Sequence, residues 1–325
     1  MRVIYSLGLT VAISCCCCIA IIADDGALAQ WVERNGRLTR DPKLPGNPVV
    51  SVDLYKIGRS AISDADVQRL KGFPHLRSLN IGFSKVTDEG LKSLIGLKEL
   101  ESFCASYTAV SDTGVNELAG LTSMRQLDLS ATKVTDEGLK ILTHFTALRG
   151  LNLSMCRITN KGMSNLAGLE NLESVNVGFS AISDEGAEHL GKLKNLKRLS
   201  LDRAQITDAG LKHLSTLERL EYIDLWGTRL TDEGMQHLSK IKSLRDLNLR
   251  DQPISDAGVE HVAKLEHLES LILQGTSVTD AGILKLASCK DLKKVYLYST
   301  PTSDKGLYEL RRLLPTCEVS KIQIE

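Results

Sequence analysis

The sequence has no excess of either charge: Lys plus Arg number 40, and Asp plus Glu number 40. A nucleic-acid footprint would show as a basic surplus, and electrostatic docking on an anionic membrane would need one too. Neither partner is expected. Aromatic residues are scarce, 4% of the chain, so each one presented to solvent carries information. Outside the N-terminal run Cys15 to Cys18 there is no CxxC pair, and no Cys/His cluster has metal-ligand spacing. No Ser/His/acid arrangement has a local signature, and no glycine-rich loop is built to cradle phosphate. The sequence assigns no catalytic residue, cofactor or metal, and the chain reads as non-enzymatic.

What is present is a repeat. Its marker is a Thr/Ser-Asp-x-Gly tetrad whose aspartate stands at Asp64, Asp88, Asp112, Asp136, Asp184, Asp208, Asp232, Asp256, Asp280 and Asp304, with Asn160 in the remaining slot. Every step is 24 residues, without insertion or deletion across eleven copies. Such self-similarity predicts a solenoid, in which each unit buries its apolar face against its neighbours. Within one copy, Leu127 to Leu142, the apolar period changes. Leu127, Leu129 and Val134 alternate inward as a short strand and turn would. Leu139 and Leu142 share one face of a short helix. Thr135-Asp136 supplies an N-cap oxygen and an acid for the positive end of that helix. A calcium reading of the Thr-Asp pair is disfavoured, because calcium needs six or more converging oxygens. Gly138 recurs in every copy except the first, where Asp66 stands. The expected reason is close approach of helix to strand.

The pattern LxxLxLxxTxVTDxGLxxL resembles the leucine-rich repeat family. It is most similar to the cysteine-containing and ribonuclease-inhibitor-like branches, and to bacterial exported proteins with units of 24 residues. The resemblance covers roughly residues 50 to 314. It implies an α/β fold: a right-handed horseshoe solenoid of about eleven repeats, with a parallel concave sheet and short convex helices. The slot that often holds Asn or Cys in the family holds Ser60, Ser84, Thr108, Thr132, Cys156, Ser180, Ala204, Thr228, Gln252, Thr276 and Thr300. A small hydroxyl or thiol there would bond the turn backbone inside the coil. Ala204 and Gln252 depart from this, and irregularity is expected beside them.

Four segments are expected. Residues 1–29 read as a signal peptide: Arg2 gives a positive start, Val3 to Ala23 is an apolar run, and Ala27-Leu28-Ala29 offers cleavage before Gln30. Two rival readings are a lipid anchor at Cys15 and an uncleaved anchor, since about 21 apolar residues can span a bilayer. All three place the repeats outside the cytoplasm: periplasmic, on the cell surface or secreted. Residues 30–49 form an N-terminal cap or linker. Trp31, Val32 and Leu38 would cover the open end of the first coil, and Pro42, Pro45 and Pro48 impose a turn. The first strand should include Val52, Leu54 or Tyr55, and Ile57. Residues 50–314 form the solenoid, with Phe103-Cys104-Ala105 as its least typical strand and Thr302 marking a frayed last copy. Residues 315–325 form the C-terminal cap, where Lys321 breaks the leucine pattern.

Beyond the signal run four cysteines remain. Cys156 falls in the inner slot, Cys289 in a core leucine column, Cys104 in mid-strand and Cys317 in the cap. Their repeat phases differ, so no disulfide is expected. His189, His213, His237 and His261 form a ladder on successive helices. Helices packed about 8–10 Å apart hold four imidazoles too far apart for one metal ion. A pH effect through mutual repulsion is the residual reading.

Equal positions in successive copies are neighbours on a parallel sheet, so three positions per copy should line the concave face. In the N-terminal half these are small and polar, for example Ser78, Asn80, Gly82 and Ser174, Asn176, Gly178. Further on come Arg198 and Asp202, then Tyr222, Asp224 and Trp226, then Asp246, Asn248 and Arg250, and finally Tyr296 and Tyr298, with Arg203 and Asp251 on the adjoining rim. Trp226 should lie between Asp202 and Arg250. Trp, Tyr and Arg dominate binding hot spots. The bland alternative is ordinary cross-strand packing. Phe83, Tyr107 and Phe179 mark a second, N-terminal rim.

The expected function is recognition of a protein or peptide partner on the concave face by preorganised side chains. The rivals are a self-associating component of the cell envelope and a glycan-binding module that stacks sugars on Trp226, Tyr222, Tyr296 and Tyr298. By family analogy alone there is also a substrate receptor of the ubiquitin-ligase type. Membrane attachment is expected only through the N-terminal segment.

Overall fold

The computed structural model describes residues 16–55 and 62–322, with side chains described from residue 26 onward. The inner-slot Ser60, the first-strand Ile57 and the anchor position Cys15 lie outside the described residues. One sheet of 13 strands runs the length of the molecule in sequence order. β1 (Arg37–Arg40) pairs antiparallel with β2 (Val49–Asp53), and every later pairing is parallel. From β3 (Ser78–Asn80) to β12 (Lys294–Tyr296) the strands have three residues each and repeat every 24 residues; β13 (Glu318–Ser320) closes the sheet. The middle residue of each strand is buried and its two neighbours face the concave side. That is the period-2 pattern read from the sequence.

A short helical segment follows each strand from β2 to β12, opened by a Thr or Ser whose hydroxyl in most coils accepts a backbone N–H two residues on, as Thr87 does from Glu89. The aspartate next to it does something the sequence reading did not foresee. Asp112 Oδ1 accepts the Thr135 N–H at 2.8 Å, and its Oδ2 accepts the Thr135 hydroxyl at 2.6 Å, one coil further on. The same pair of bonds joins Asp64 to Thr87, Asp88 to Ser111, Asp184 to Thr207 and Asp256 to Thr279. The aspartates are thus rungs between coils as well as acids at helix starts. In the one amide rung, Asn160 Oδ1 accepts the Ser183 N–H at 2.9 Å and Asn160 Nδ2 donates to the Ser183 hydroxyl at 2.8 Å. Ser183 accordingly makes no side-chain cap bond.

This ladder corrects the expected role of the glycine column. A Cβ on Gly138 would overlap Asp112 Oδ1, and one on Gly90 would stand 2.7 Å from Asp64 Oδ1. The glycines make room for the carboxylate of the preceding coil, not for a strand. Asp66 breaks the column because the first coil has no preceding rung. Its carboxylate closes a capping box on Ser63 instead.

Inside the coil the hydroxyl slot behaves as expected. Thr108, Thr132, Thr228 and Thr276 donate to the carbonyls of Ala105, Leu129, Leu225 and Leu273 at 2.6–2.7 Å. The expected irregularity at Ala204 and Gln252 is absent. Ala204 is simply buried, and the strands beside both residues keep register. Gln252 is long enough to do the hydroxyl's work across the coil. Its amide donates to Leu225 O and Thr228 Oγ1 and accepts from Leu230 N. The Phe103 strand is regular, with Phe103 in the core. Thr302 is buried and bonded to Thr300 at 2.8 Å, and Lys321 donates to the Thr302 carbonyl, so the last copy is not frayed.

The N-terminal cap is α1 (Cys16–Asn35) followed by the β1–β2 hairpin, whose loop holds the three prolines. A cap was expected there, but as a turn or linker and not as a helix. Val32 is fully buried, with Trp31 and Leu38 packed against the same core. The expected 29/30 boundary falls inside α1, where Leu28 and Ala29 are also buried. Among the described residues no helix is long and apolar enough to cross a membrane. Cys104, Cys156, Cys289 and Cys317 are free thiols.

Candidate functional site

Two columns at the end of each strand shape the concave face. In the first, the last strand residue turns its side chain back on the chain. Asn80, Asp128, Asn152, Asn176, Asp224 and Asn248 each accept the backbone N–H two residues on, at 2.9–3.1 Å. These are Asx turns. Asp224 and Asn248, both expected at the binding surface, therefore each have one oxygen held by the scaffold. In the second column one residue per coil takes the left-handed conformation: Phe83, Tyr107, Ala131, Met155, Phe179, Arg203, Gly227, Asp251, Gly275 and Ser299, with φ between 52° and 71°. The strand exit demands this turn, and a non-glycine residue there costs roughly 1 kcal/mol.

Against that frame the C-terminal half of the sheet carries one cluster. Trp226, two residues after β9 (Tyr222–Asp224), is met by two guanidinium groups. Arg203 of the preceding coil lies 4.5 Å from its ring centroid, and Arg250 of the following coil lies 4.8 Å away. Phe179 meets it edge-on at 6.0 Å, and its indole Nε1 donates to Asp251 at 2.8 Å. Asp251 also stands 3.5 Å from Arg250 Nε. Gly227 permits the stack, since its open α-carbon lies alongside the Arg203 stem. Lower on the sheet, Arg198 at the start of β8 (Arg198–Ser200) covers the Tyr222 ring at 4.2 Å. Both stacks have cation–π geometry.

Between the two stacks lies an open cavity of about 500 Å³. Arg198, Asp202, Tyr222, Asp224, Trp226, Asn248 and Arg250 line it, together with Ser174, Asn176, Ser200 and Ile272. Seven of the eleven expected residues thus meet in one place. Arg203 reaches the cavity through Trp226. Asp246, which begins β10 (Asp246–Asn248), stands near the charge of Arg198. Tyr296 and Tyr298 do not join; they lie in the coil beyond Ile272, and Tyr298 remains 39% exposed. Of the two expected neighbours of Trp226, Arg250 is in place and Asp202 is not. Asp202 is turned to Ser200, whose hydroxyl donates to it at 2.6 Å, and the second cation comes from the rim residue Arg203. Gly178 makes room for Asp202, because a Cβ there would collide with its carboxylate.

Burial raises the pKa of three groups in this cluster. Asp224 is held above the usual carboxylate range by loss of solvent, opposed by the Trp226 N–H. Tyr222 is pushed up to about 12 by burial and by the Asp224 carboxylate to which its hydroxyl donates. Asp246 is raised by burial, with Arg198 opposing. The cavity therefore offers hydrogen-bond donors and acceptors around two cation–aromatic stacks. Its lining includes no histidine to serve as base for the Ser174 or Ser200 hydroxyl.

The other candidates stay apart from it. The histidine ladder sits on the helical segments Asp184–Leu190, Asp208–Leu214, Asp232–Leu238 and Asp256–Val262. At His237, burial first, then Lys240 and Lys212, lower the pKa, and its Nδ1 is buried without a partner. Among the described residues no group of three or more His, Cys, Asp or Glu is arranged to hold a metal ion.

The parallel ladder of short strands, the helical return in every coil and the single continuous core define an α/β solenoid of 24-residue units. The family model described as Leucine Rich repeat matches residues 74–94, 120–142, 146–167, 168–191, 192–215 and 264–287, and the chain is a leucine-rich repeat protein. An internalin from Listeria monocytogenes is similar in structure with a TM-score of 0.62 at 18% identity, covering 94% of this chain and 96% of that one. A leucine-rich repeat protein of Leptospira interrogans gives a TM-score of 0.52 at 22% identity, covering 78% of this chain and 74% of that one. At such identities the likeness concerns the fold alone. No curated protein matches the sequence.

Proposed function

We propose that this is an exported, non-enzymatic protein that binds a protein or peptide partner on the C-terminal half of its concave face. The observation that carries the reading is the convergence of Arg198, Tyr222, Trp226 and Arg250 around one cavity. Trp, Tyr and Arg are the side chains that dominate binding energy at interfaces. The stacks hold them in place before any partner arrives, so little side-chain freedom is lost on binding. Export follows from the N-terminal apolar run and its small-residue cleavage site.

Of the rival readings, glycan binding needs free aromatic faces. Here guanidinium groups already lie over Trp226 and Tyr222. That leaves Tyr296 and Tyr298, which stand outside the cavity. The test is affinity capture from cell-envelope extract with the protein as its host processes it, beside Trp226→Ala/Arg250→Ala and Arg198→Glu variants. Arg198 is exposed and stacked on a neighbour, so its reversal should leave the fold intact. A protein retained by the wild type and lost by both variants supports the proposal. Equal retention by all three sinks it, and capture of this chain alone favours a self-associating envelope component.

A further inference from the structure

The N-terminal rim carries a second surface, which meets the cavity cluster only at Phe179. Tyr55 meets Phe83 edge-on at 5.3 Å, Phe83 stacks on Tyr107 at 4.2 Å, and the Tyr107 hydroxyl reaches Met155 Sδ at 3.4 Å across the small Ala131. Phe179 continues the line. These five side chains are 38–49% exposed. Four of them occupy the left-handed column, where bulky residues are outliers and Gly or Asn fits best. The C-terminal half of the same column has Gly227, Asp251, Gly275 and Ser299. Large apolar groups are therefore kept at positions that disfavour them, in a chain poor in aromatics.

We propose that this aromatic rim is a self-association surface that pairs two copies of the chain. Charge supports a second copy as the occupant. The stripe is uncharged, and the chain as a whole has 40 cations and 40 anions, so copies do not repel at long range. On its outer flank stand the exposed cations Lys85, Lys133 and Arg157; its inner flank is the small polar floor with Asp53 and Asp128. A two-fold axis along the stripe sets the outer flank of one copy on the inner flank of the other. Cations then face carboxylates and amides, and the aromatic line meets itself, as a self-complementary interface requires. Five such side chains about half exposed present on the order of 400–500 Å². That is roughly half of the ~800 Å² per partner in a standard interface, so the pairing is weak and reversible.

Sedimentation equilibrium of the host-processed protein, from about 5 to about 200 µM, reads it directly. The wild type is expected to rise from the monomer mass toward twice that mass. Phe83→Asn/Tyr107→Asn should stay monomeric with an unchanged or higher melting temperature, because asparagine accepts the left-handed turn. The retained fold separates lost pairing from lost structure. A wild type that stays monomeric throughout, or a variant that associates equally well, overturns the proposal. Flotation of a monomeric wild type with phosphatidylglycerol-containing vesicles, abolished in the variant, would also overturn it, in favour of a lipid surface. A failure here leaves the cavity untouched, since that site is read from capture by Trp226 and Arg198 variants.

Discussion

Gly138→Ala tests the rung between coils. Gly138 is not in the left-handed region, so an alanine there faces no backbone strain and would by itself stabilise by about 0.4–1 kcal/mol. The new methyl overlaps Asp112 Oδ1, however, and stands 3.1 Å from Val134 Cγ1, which can give way. Asp112 must swing out and release Thr135 N–H and Oγ1, held at 2.8 and 2.6 Å. Bonds to a charged acceptor contribute about 1.5–3 kcal/mol, and the half-exposed setting puts each at the low end or below. Gly138→Ala should therefore cost about 1–3 kcal/mol overall. Asp112→Ala should cost about 2 kcal/mol alone. In the Asp112→Ala background the obstruction is gone, so Gly138→Ala should become neutral or stabilising, with a coupling of about 2 kcal/mol. Urea denaturation at constant m-value measures all four corners of the cycle. Equal destabilisation by Gly138→Ala in both backgrounds would mean that the methyl does not act through Asp112.

Three further outcomes are expected. Gln252→Ala leaves the buried Leu230 N–H without its acceptor and removes the amide's bonds to the Leu225 carbonyl and Thr228 hydroxyl, which keep the bond to each other, and should cost about 1–3 kcal/mol. Gln252→Thr, which supplies the hydroxyl used elsewhere in the column, should cost less in the same denaturation assay. A chain beginning at Gln30 lacks the buried Leu28 and Ala29 and should be less stable than one beginning at Gly26, by about 2–3 kcal/mol from the leucine alone; equal melting temperatures would show that the cap does not use them. His237 titrates below its ordinary value in the folded state, so the unfolded chain binds the proton more readily. Its contribution to stability is full above the ordinary histidine pKa of about 6.5 and falls as pH drops toward the folded value. Melting temperature should decline across that window, and His237→Gln should lessen the decline.

The repeat, the strand positions and the inward residues could be read from the sequence because they depend on local period: Leu127, Leu129 and Val134 are buried where alternation put them. The meaning of the Asp and Gly columns could not. It depends on Asp112 meeting Thr135 and Gly138 in the next coil, a relation across the stack that a single copy does not display. Gln252 was misread for a similar reason. Composition marked it as an intruder in a hydroxyl column, whereas its length lets it reach the coil before and bond Leu225, Thr228 and Leu230 there. At the cavity, the residue types, the face and the approach of Arg250 to Trp226 were legible, but the contacts of Trp226 with Arg203 and Asp251 were not. They hinge on the left-handed turn at Arg203, which carries that guanidinium over the indole. The Asx role of Asp224 and Asn248 had a signal that was not used: Asn or Asp recurs at the same position at Asn80, Asp128, Asn152 and Asn176.

We propose that a partner is recognised by the side chains between Arg198 and Arg250. Hydroxyl-radical footprinting of the captured complex, against the free protein at a concentration where it is monomeric, tests it most directly. Oxidation of Trp226 and Tyr222 should fall when the partner is bound, while Phe83 and Tyr107 stay as reactive as in the free chain. Unchanged reactivity at Trp226 and Tyr222, with protection at Phe83 and Tyr107 or on the convex helices, would contradict it.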